Sequence, residues 1–585
     1  MRSNVDNTKV ARIFREMADL LAIKGENPFR IRAYERAADI IETLSGNVGE
    51  LYREGKLNKI PGIGKGILEK IETIIKTGTL PAYEELKSAL PPGLIELLSV
   101  PDVGPRTARL LYEKIGIKNI QELEEAAQKG KLRDLPGLGA KKEENILRGI
   151  KLYKMRTSRI LLGKALPIVD EVLAELKEKA SSFIQEISPA GSLRRGKETI
   201  GDIDILATSS DPLSLMDIFS HLSFVDEVLA KGETKSSILT CQGLQMDLRV
   251  VPPDCFGAAI QYFTGSKSHN IRLRERAIKR GLKINEYGVF NQKGEKIAGR
   301  EEEEVYRCLG LSFIPPELRE DRGEIEAAES GILPCLICEK DIKGDLHMHT
   351  NYSDGKHSIE EMAEEARKRG YEYIAITDHS SSLKIAGGLS IQKLLSQVER
   401  IKKINSRFKD FVILTGAEVD IRQDGSLDFP DEILSKIDVV IAAIHTGFKQ
   451  DERTMTQRII KAIRHPLVKI LAHPTGRLLG EREGYAVDLD KVFNVAKEEG
   501  VWLEINSQPD RLDLEDYWSM EAKRRGIKMV INTDAHSKES LDFIRLGVIT
   551  ARRGWLEKED VVNTLSLDDL LRLLKKNKKG GSRAR

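Results

Sequence analysis

Seven short β-like runs alternate with amphipathic helical stretches between residues 341 and 575, and this rhythm constrains the fold more than any other feature of the chain. The runs cover 345–349, 371–378, 411–418, 437–445, 468–473, 501–506 and 527–534. Strands that alternate with helices predict βαβ units and a parallel αβ barrel. Six of the seven runs end on or beside His, Asp or Glu: His347 and His349, His379, Glu418, His445, His473, and Asp534 with His536. Asp354 follows the first run. Such barrels carry reactive groups at the C-terminal ends of their strands, so the pattern gathers six His and three carboxylates around one mouth. Period-two geometry puts His347 and His349 on one face. Nine N/O donors suit two or three Zn²⁺, Mn²⁺ or Fe²⁺ ions with bridging carboxylates, and the expected reaction is phosphoester hydrolysis. His221, His269, His357 and His465 fall outside this set.

The first 150 residues read as helical, with 3.6-type spacing over 33–44 and 67–75. Three glycine turns recur there, each before a helix: Ile60-Pro61-Gly62-Ile63-Gly64-Lys65, Val100-Pro101-Asp102-Val103-Gly104-Pro105-Arg106 and Leu135-Pro136-Gly137-Leu138-Gly139-Ala140-Lys141. Glycine permits a tight hairpin with positive φ and exposes backbone N–H groups at a helix N-terminus, an anion site. This is a helix-hairpin-helix signature for gripping DNA phosphates without reading sequence. Gly62, Gly64, Lys65, Gly104, Arg106, Gly137 and Gly139 are the expected contacts. Asp102 stands where the second copy should carry its first glycine.

Gly191-Ser192-Leu193-Arg194-Arg195-Gly196 leads into Gly201-Asp202-Ile203-Asp204-Ile205. On a strand Asp202 and Asp204 point to one face, and paired carboxylates there call for a cation. Asp247, in the strand-like run 245–251, is the natural third acid of a two-metal site for nucleotidyl transfer. Tyr262-Phe263-Thr264-Gly265-Ser266 follows, and then residues 267–283 carry seven bases against one acid. That local patch predicts template and nucleotide contact. The net charge of +2 conceals it, because residues 301–340 hold 11 acids against 4 bases.

With these motifs, residues 1 to about 320 resemble a family X DNA polymerase of the DNA polymerase beta type. The resemblance implies an N-terminal domain of the 8-kDa type, fingers, palm and thumb. It implies that Asp202 and Asp204 bind both Mg²⁺ or Mn²⁺ ions and that Asp247 activates the primer 3′-hydroxyl. Ser192 and Arg195, with Gly201 nearby, would hold the β- and γ-phosphates. Tyr262, Phe263 and Gly265 would lie along the nucleotide sugar, and Asn270 and Arg274 would touch the nascent pair and template. Lys267 replaces the family's Asp, which strengthens the expected hold on the triphosphate. Gln245 replaces the family's Arg two residues before the third Asp, a departure that bears on how Asp247 is oriented. Lys70 matches the Schiff-base lysine of the family's 5′-deoxyribose-phosphate lyase, while Gly66 replaces a phosphate-binding Lys.

Residues 341–575 resemble the polymerase-and-histidinol-phosphatase (PHP) domain, with all nine ligand positions intact. That resemblance implies a distorted (β/α)7 barrel with a trinuclear site. Polymerase X followed by PHP is the architecture of bacterial and archaeal polymerase X enzymes, whose PHP domain is a Mn²⁺-dependent 3′–5′ exonuclease. Some members add abasic-site endonuclease and 3′-phosphatase activity. The expected domains are 1–85 (8-kDa type), 86–150 (fingers), 151–255 (palm), 256–318 (thumb), 319–340 (linker), 341–575 (PHP) and 576–585 (basic tail).

The expected function is gap-filling DNA synthesis with 3′-end processing, on gapped or primer-template DNA with dNTPs, by a monomer. Two alternatives are a polymerase whose PHP domain is structural or acts on a non-DNA phosphoester, and a non-catalytic scaffold working through its hairpins. Five Cys in 585 residues exclude a disulfide scaffold, and no apolar run approaches the roughly 20 residues of a membrane span. The N-terminus lacks an apolar signal core, so a cytoplasmic location is expected. Cys335-x-x-Cys338 has half a zinc-ribbon spacing but no second pair. Arg477 and Lys449 are placed by position near the barrel mouth as phosphate contacts.

Overall fold

The computed structural model describes residues 7–44, 48–53, 55–60, 62–100, 102–157 and 159–578. The basic tail falls almost wholly outside these, as do Pro61 and Pro101 of the glycine turns. The chain divides into two compact units, 1–159 and 160–585.

The first unit is helical. Helix Pro28–Thr43 opens with Pro at its first turn and with Asn27 Oδ1 accepting from the Phe29 N–H, both favourable helix starts. It packs on helix Asn7–Lys24 in a core that includes Phe14, Met17, Tyr34 and Ile41. A second core joins Leu97, Val103, Leu111, Leu123 and Ile146. The three glycine turns lead into helices Lys65–Thr77, Pro105–Ile115 and Ala140–Thr157. Gly62, Asp102 and Gly137 hold φ of +97°, +65° and +79°. Asp is among the few side chains that enter this region readily, so the second turn keeps the shape of the other two.

The second unit holds three sheets and a two-stranded ribbon. In chain order its first strands are β1 (Ile160–Leu161), β2 (Ile184–Pro189), β3 (Thr199–Ile200), β4 (Ile203–Ser209), β5 (Val225–Lys231), β6 (Lys235–Thr240) and β7 (Gln245–Val250). The palm sheet runs β2-β4-β7-β6-β5, with only β4 and β7 parallel. Helices Leu162–Lys179 and Pro212–Ser220 bury Val169, Leu176, Leu215 and Phe219 against it. A small thumb sheet follows, of β8 (Lys283–Asn285), β9 (Gly288–Phe290) and β10 (Lys296–Ala298).

The barrel strands are β11 (Gly344–Asp345), β12 (Tyr373–Ile376), β13 (Val412–Asp420), β14 (Val439–Ala443), β15 (Ile470–Leu471), β16 (Trp502–Asn506) and β17 (Met529–Asn532), all parallel and in sequence order. Every run expected from the sequence is a strand, though several are shorter than expected. Side chains and loops bring β17 back to β11: the Asn532 amide oxygen accepts from the Leu346 N–H at 3.0 Å, and the Ala535 carbonyl accepts from the His349 N–H at 2.8 Å.

The barrel and the palm share a core. Leu512 and Leu546 of the barrel belong to the palm cluster. A Cβ at Gly163 would lie 2.7 Å from Pro509 Cβ and 2.9 Å from Leu546 Cδ1, so glycine lets the palm helix meet the barrel directly. Full burial of two leucines stabilises by about 3–6 kcal/mol, so the barrel contributes to the stability of the palm core.

Residues 319–340, expected as an interdomain linker, are packed against the thumb. Helix Glu324–Ser330 adds Ile325 and Ala328 to the thumb core. Arg319 is fully buried, paired with Glu302 and lying over the Tyr306 ring at 5.0 Å. Acids in and just before this stretch are paired with distant arginines: Glu317 with Arg552, Asp321 and Glu326 with Arg272, and Glu329 with Arg276. Two of the seven bases in 267–283 are therefore spent within the thumb.

Candidate active sites

The barrel mouth brings all nine expected ligands together. Only Glu418 lies within a strand; the others sit in the loops just past the strand ends, where backbone direction is free to aim them inward. Glu418 is the focus. Its Oε1 is 3.0 Å from His473 Nε2 and 3.2 Å from His445 Nε2, and its Oε2 is 2.7 Å from His379 Nδ1 and 3.6 Å from His347 Nε2. Asp534 Oδ1 lies 3.0 Å from His349 Nε2, and Asp354 approaches His379 and His536 at 3.5 and 3.4 Å. Three overlapping donor groups result: His347, His349 and Asp534; His349, Asp354, His379 and His536; and His379, Glu418 and His445. Two ligands adopt left-handed backbone, His473 at φ +29° and Asp534 at φ +51°. Side chains in that region are strained and persist where surroundings hold them. Here Glu504 Oε2 accepts from the His473 N–H at 2.9 Å, and Asn506 Nδ2 donates to Asp534 Oδ2 at 3.0 Å.

These residues fit divalent cations. Nδ1 of His349, His379, His445 and His473 and Oε2 of Glu418 are buried without hydrogen-bond partners. His379 Nδ1 faces Glu418 Oε2 at 2.7 Å outside hydrogen-bond geometry, as two electron-pair donors aimed at a common point would. Each orphaned group costs about 1–3 kcal/mol, a cost that shared cations remove. Burial and the neighbouring His379 and His536 hold His349 down to about 4, so it is a neutral imidazole with a free lone pair. Burial works against ionisation of Glu418, yet His445, His379 and His347 hold its carboxyl well below the usual range. Burial likewise opposes protonation of His379, but the Glu418 and Asp354 carboxylates push it up to about 10. The buried carboxylates thus draw positive charge to the cluster, which protons on the imidazoles or a cation between them can supply.

Glu504 was not among the expected residues. It sits on β16, whose run carries no terminal His. Its Oε1 is 2.7 Å from His347 Nδ1 and accepts from Asn532 Nδ2 at 2.9 Å. A carboxylate behind a ligand imidazole fixes the ring and raises its basicity. Glu504→Gln is therefore expected to lower Mn²⁺ affinity about 10–100-fold, read by titrating Mn²⁺ into 3′-degradation assays, with nucleotide incorporation unchanged.

The palm carries the second constellation. Asp204 on β4 and Asp247 on β7 are register partners in the one parallel pair, so both carboxylates share a face. Asp202 immediately precedes β4. Burial, then Asp202 and Asp247, raise Asp204 to about 6, the mark of crowded acids awaiting a cation. Gln245 Nε2 donates to Asp247 Oδ1 at 3.0 Å and Lys235 Nζ is 2.7 Å from Oδ2, so Gln245 orients the third acid. Gly191 has φ +60°, and a Cβ there would meet Asp204 Oδ2 at 2.8 Å; only glycine lets the Ser192 turn lie against the acids. Tyr262 and Phe263 meet edge to face, and the Arg249 guanidinium lies 4.8 Å from the Phe263 ring centre.

Other expected contacts differ in placement. Asn270 is turned inward: its Oδ1 accepts from Gln261 and its Nδ2 donates to the Tyr262 carbonyl, each at 2.8 Å. Arg274 Nε donates to the Asn270 carbonyl at 3.3 Å. Lys267 starts helix Lys267–Lys279 and is exposed. Arg477 is not a mouth contact. It is clamped by Glu198, Glu515 and the Arg511 and Leu512 carbonyls, joining palm to barrel. Lys449 is exposed. Cys338 Sγ donates to Asp341 at 2.9 Å, and among the described residues the cation-holding groups lie at the barrel mouth, so no zinc site forms with Cys335. Lys70 Nζ donates to the Gly66 carbonyl at 2.9 Å, beside Tyr34. In the first unit Gly62, Gly64, Lys65, Gly104, Arg106, Gly137 and Gly139 are all exposed.

Family models match in the same order. A helix-hairpin-helix domain matches 5–80, a SAM-like helix-hairpin-helix tandem 94–151, the DNA polymerase beta thumb 259–320 and the PHP domain 345–508. The DNA polymerase/3′-5′ exonuclease PolX of Bacillus subtilis (strain 168) is 39% identical over 571 residues, 97% of this chain and 99% of that one. The chain belongs to the PolX family. Two further relatives each match part of the chain. A probable phosphatase of Thermoanaerobacter sp. (strain X514) is 32% identical over 38% of this chain and 89% of its own. DNA polymerase lambda of Rattus norvegicus is 25% identical over 52% of this chain and 54% of its own. In this PolX chain Asp534 and His536 lie beyond the PHP match, yet the barrel folds them into the same donor groups. The polymerase and PHP parts together imply dependence on divalent metal ions.

Proposed function

We infer that this PolX-family chain is a DNA-directed DNA polymerase with a 3′–5′ exonuclease in its PHP barrel, filling short gaps and trimming 3′ ends in DNA repair. The observation that carries the reading is the presence of two donor constellations on separate sheets: Asp204 in register with Asp247, and eight further candidate ligands gathered with Glu418. Asp202, Asp204 and Asp247 would hold Mg²⁺ or Mn²⁺, and the barrel set two or three Mn²⁺, Zn²⁺ or Fe²⁺ ions. Bound there, such cations make an attacking hydroxyl acidic at neutral pH and neutralise charge on the phosphate. Asp247, fixed by Gln245 and Lys235, faces the primer hydroxyl. Ser192 and Arg195 orient the triphosphate, and Tyr262 and Phe263 wall the sugar. In the barrel Glu418 and Asp534 hold the donor groups in place, and the buried setting excludes bulk water from all but the mouth.

The glycine turns grip the DNA backbone. Gly64 and Gly104 open their helices with no side-chain cap, leaving exposed N–H groups for phosphate oxygens. Binding to gapped DNA is expected to weaken steeply with salt, and Lys65→Ala to reduce the slope of log K against log salt by about 1 at equal cost for every sequence. Fluorescence anisotropy across a salt series checks this; a slope unchanged by Lys65→Ala removes Lys65 from the grip. Lys70 would supply lyase chemistry once its tie to the Gly66 carbonyl opens, and borohydride trapping on an incised abasic site tests that. A cytoplasmic location is supported by five free cysteines, and no helix among the described residues is long and apolar enough to cross a membrane.

The test is one gapped, 5′-phosphorylated duplex with Mg²⁺ or Mn²⁺, with and without dNTPs. Extension is expected to vanish in Asp202→Ala and persist in His347→Ala, and 3′ degradation to show the reverse. Degradation that survives His347→Ala unchanged removes the nuclease from the barrel.

A further inference from the structure

Arg195, read above as a triphosphate ligand of the palm, is held from behind by the barrel. Its Nε lies 3.0 Å from Glu320 Oε1, and Arg553 Nη1 lies 3.2 Å from the same oxygen. Arg553 ends helix Ile544–Arg553, which packs on β16 and β17 and follows the loop bearing Asp534 and His536. From Nη1 it donates to the Arg195 carbonyl, and from Nη2 to Asp516 Oδ2, each at 2.6 Å. Asp516 in turn lies 3.3 Å from Arg322. The turn after Arg195 is fitted to this helix: Gly196 has φ +63°, and a Cβ there would lie 2.2 Å from Ile549 Cγ2. The Arg195 and Arg553 side chains are only 14% and 4% exposed, so their charges are weakly screened.

The division of Arg195 is specific. Nε goes to Glu320 and Nη1 to the Thr264 carbonyl, beside Gly265, while Nη2 has no hydrogen bond among the described residues. One edge of the guanidinium is fixed and the other presented. Burial opposes the charge on Glu320, yet Arg553, Arg195 and Lys197 hold its carboxyl below the usual range. Two carboxylates, Glu320 and Asp516, shared among three guanidiniums, those of Arg195, Arg553 and Arg322, leave a positive charge in excess. Without Arg553, Glu320 would neutralise Arg195 alone and pull it from an incoming anion.

We propose that the PHP barrel is part of the polymerase's nucleotide-binding site: Arg553 and Glu320 are positioning residues that set both the geometry and the free charge of Arg195 toward the deoxynucleoside triphosphate. This rests on the reading of Arg195 as a phosphate ligand. It makes the nuclease domain a structural requirement for nucleotide affinity, independent of nuclease turnover.

The experiment measures kcat and KM for a single dNTP on a one-nucleotide gap with the full-length protein, alongside Mn²⁺-dependent 3′ degradation and a thermal melt. Arg553→Met is expected to raise KM about tenfold with kcat and degradation within about twofold. Arg553→Lys, which keeps the charge beside Glu320, should stay within about threefold of wild type. The double variant Arg553→Met/Glu320→Gln should return KM toward wild type, because the unshared carboxylate is gone. A merely structural contact would show no rescue and would lower kcat, degradation and melting temperature together; that result overturns the proposal. If Arg195→Ala raises KM while Arg553→Met does not, the coupling is wrong and the phosphate reading stands. If Arg195→Ala leaves KM unchanged, the phosphate reading itself fails. Should Arg553→Met not fold, the comparison of Arg553→Lys with Glu320→Gln/Arg553→Lys carries the same test, with an Arg553→Lys KM above threefold and no rescue overturning it.

Discussion

Asp204→Asn is expected to reduce nucleotide incorporation by about a thousandfold or more, equivalent to about 4 kcal/mol of transition-state stabilisation. The residue is isosteric, so the palm should fold as before. Asp204 is where three effects meet: register pairing with Asp247, proximity to Asp202, and the close approach of Gly191. Replacing its charge leaves two acids to hold what three were arranged to hold. Single-turnover incorporation at saturating DNA checks this. The 3′ degradation rate should be unaltered, since Asp204 belongs to none of the donor groups at the barrel mouth.

The second large effect belongs to Glu418→Gln. One carboxylate lies near five imidazoles, those of His347, His349, His379, His445 and His473. Its amide cannot balance cationic charge on both sides, so metal content of the purified protein should fall and 3′ degradation drop by about a thousandfold or more. Elemental analysis and a degradation time course check the two halves. Incorporation should persist within about twofold. A variant that keeps its metal and its degradation rate would remove Glu418 from the centre of the site.

Much of both sites was legible in the sequence, for a simple reason. The period-two rule places Asp202 with Asp204, and the strand-end rule collects His347 to His536; both are local statements about short stretches. What was not legible depends on residues far apart. Glu504 reads as one acid in an apolar run, and only the folded barrel puts it behind His347. The acids of 319–340 read as part of a linker because their partners, Arg272 and Arg276, lie on another element. Arg477 looked like a mouth residue because it follows His473 by four positions, but the chain turns it toward Glu198. Leu512 and Leu546 are ordinary apolar residues in sequence, and nothing local says that they complete the palm core. The triad Arg195, Glu320 and Arg553 spans 358 positions and has no sequence signature.

The palm acids and the barrel donors are proposed to form two separate catalytic centres acting on the same DNA end. The most direct measurement is a 5′-labelled primer in a gapped duplex, incubated with dNTPs and Mn²⁺ and resolved on a denaturing gel, for wild type, Asp204→Asn and Glu418→Gln side by side. Wild type should give both longer and shorter products, Asp204→Asn shorter products alone, and Glu418→Gln longer products alone. Loss of both product classes in either variant, or survival of both, would contradict it.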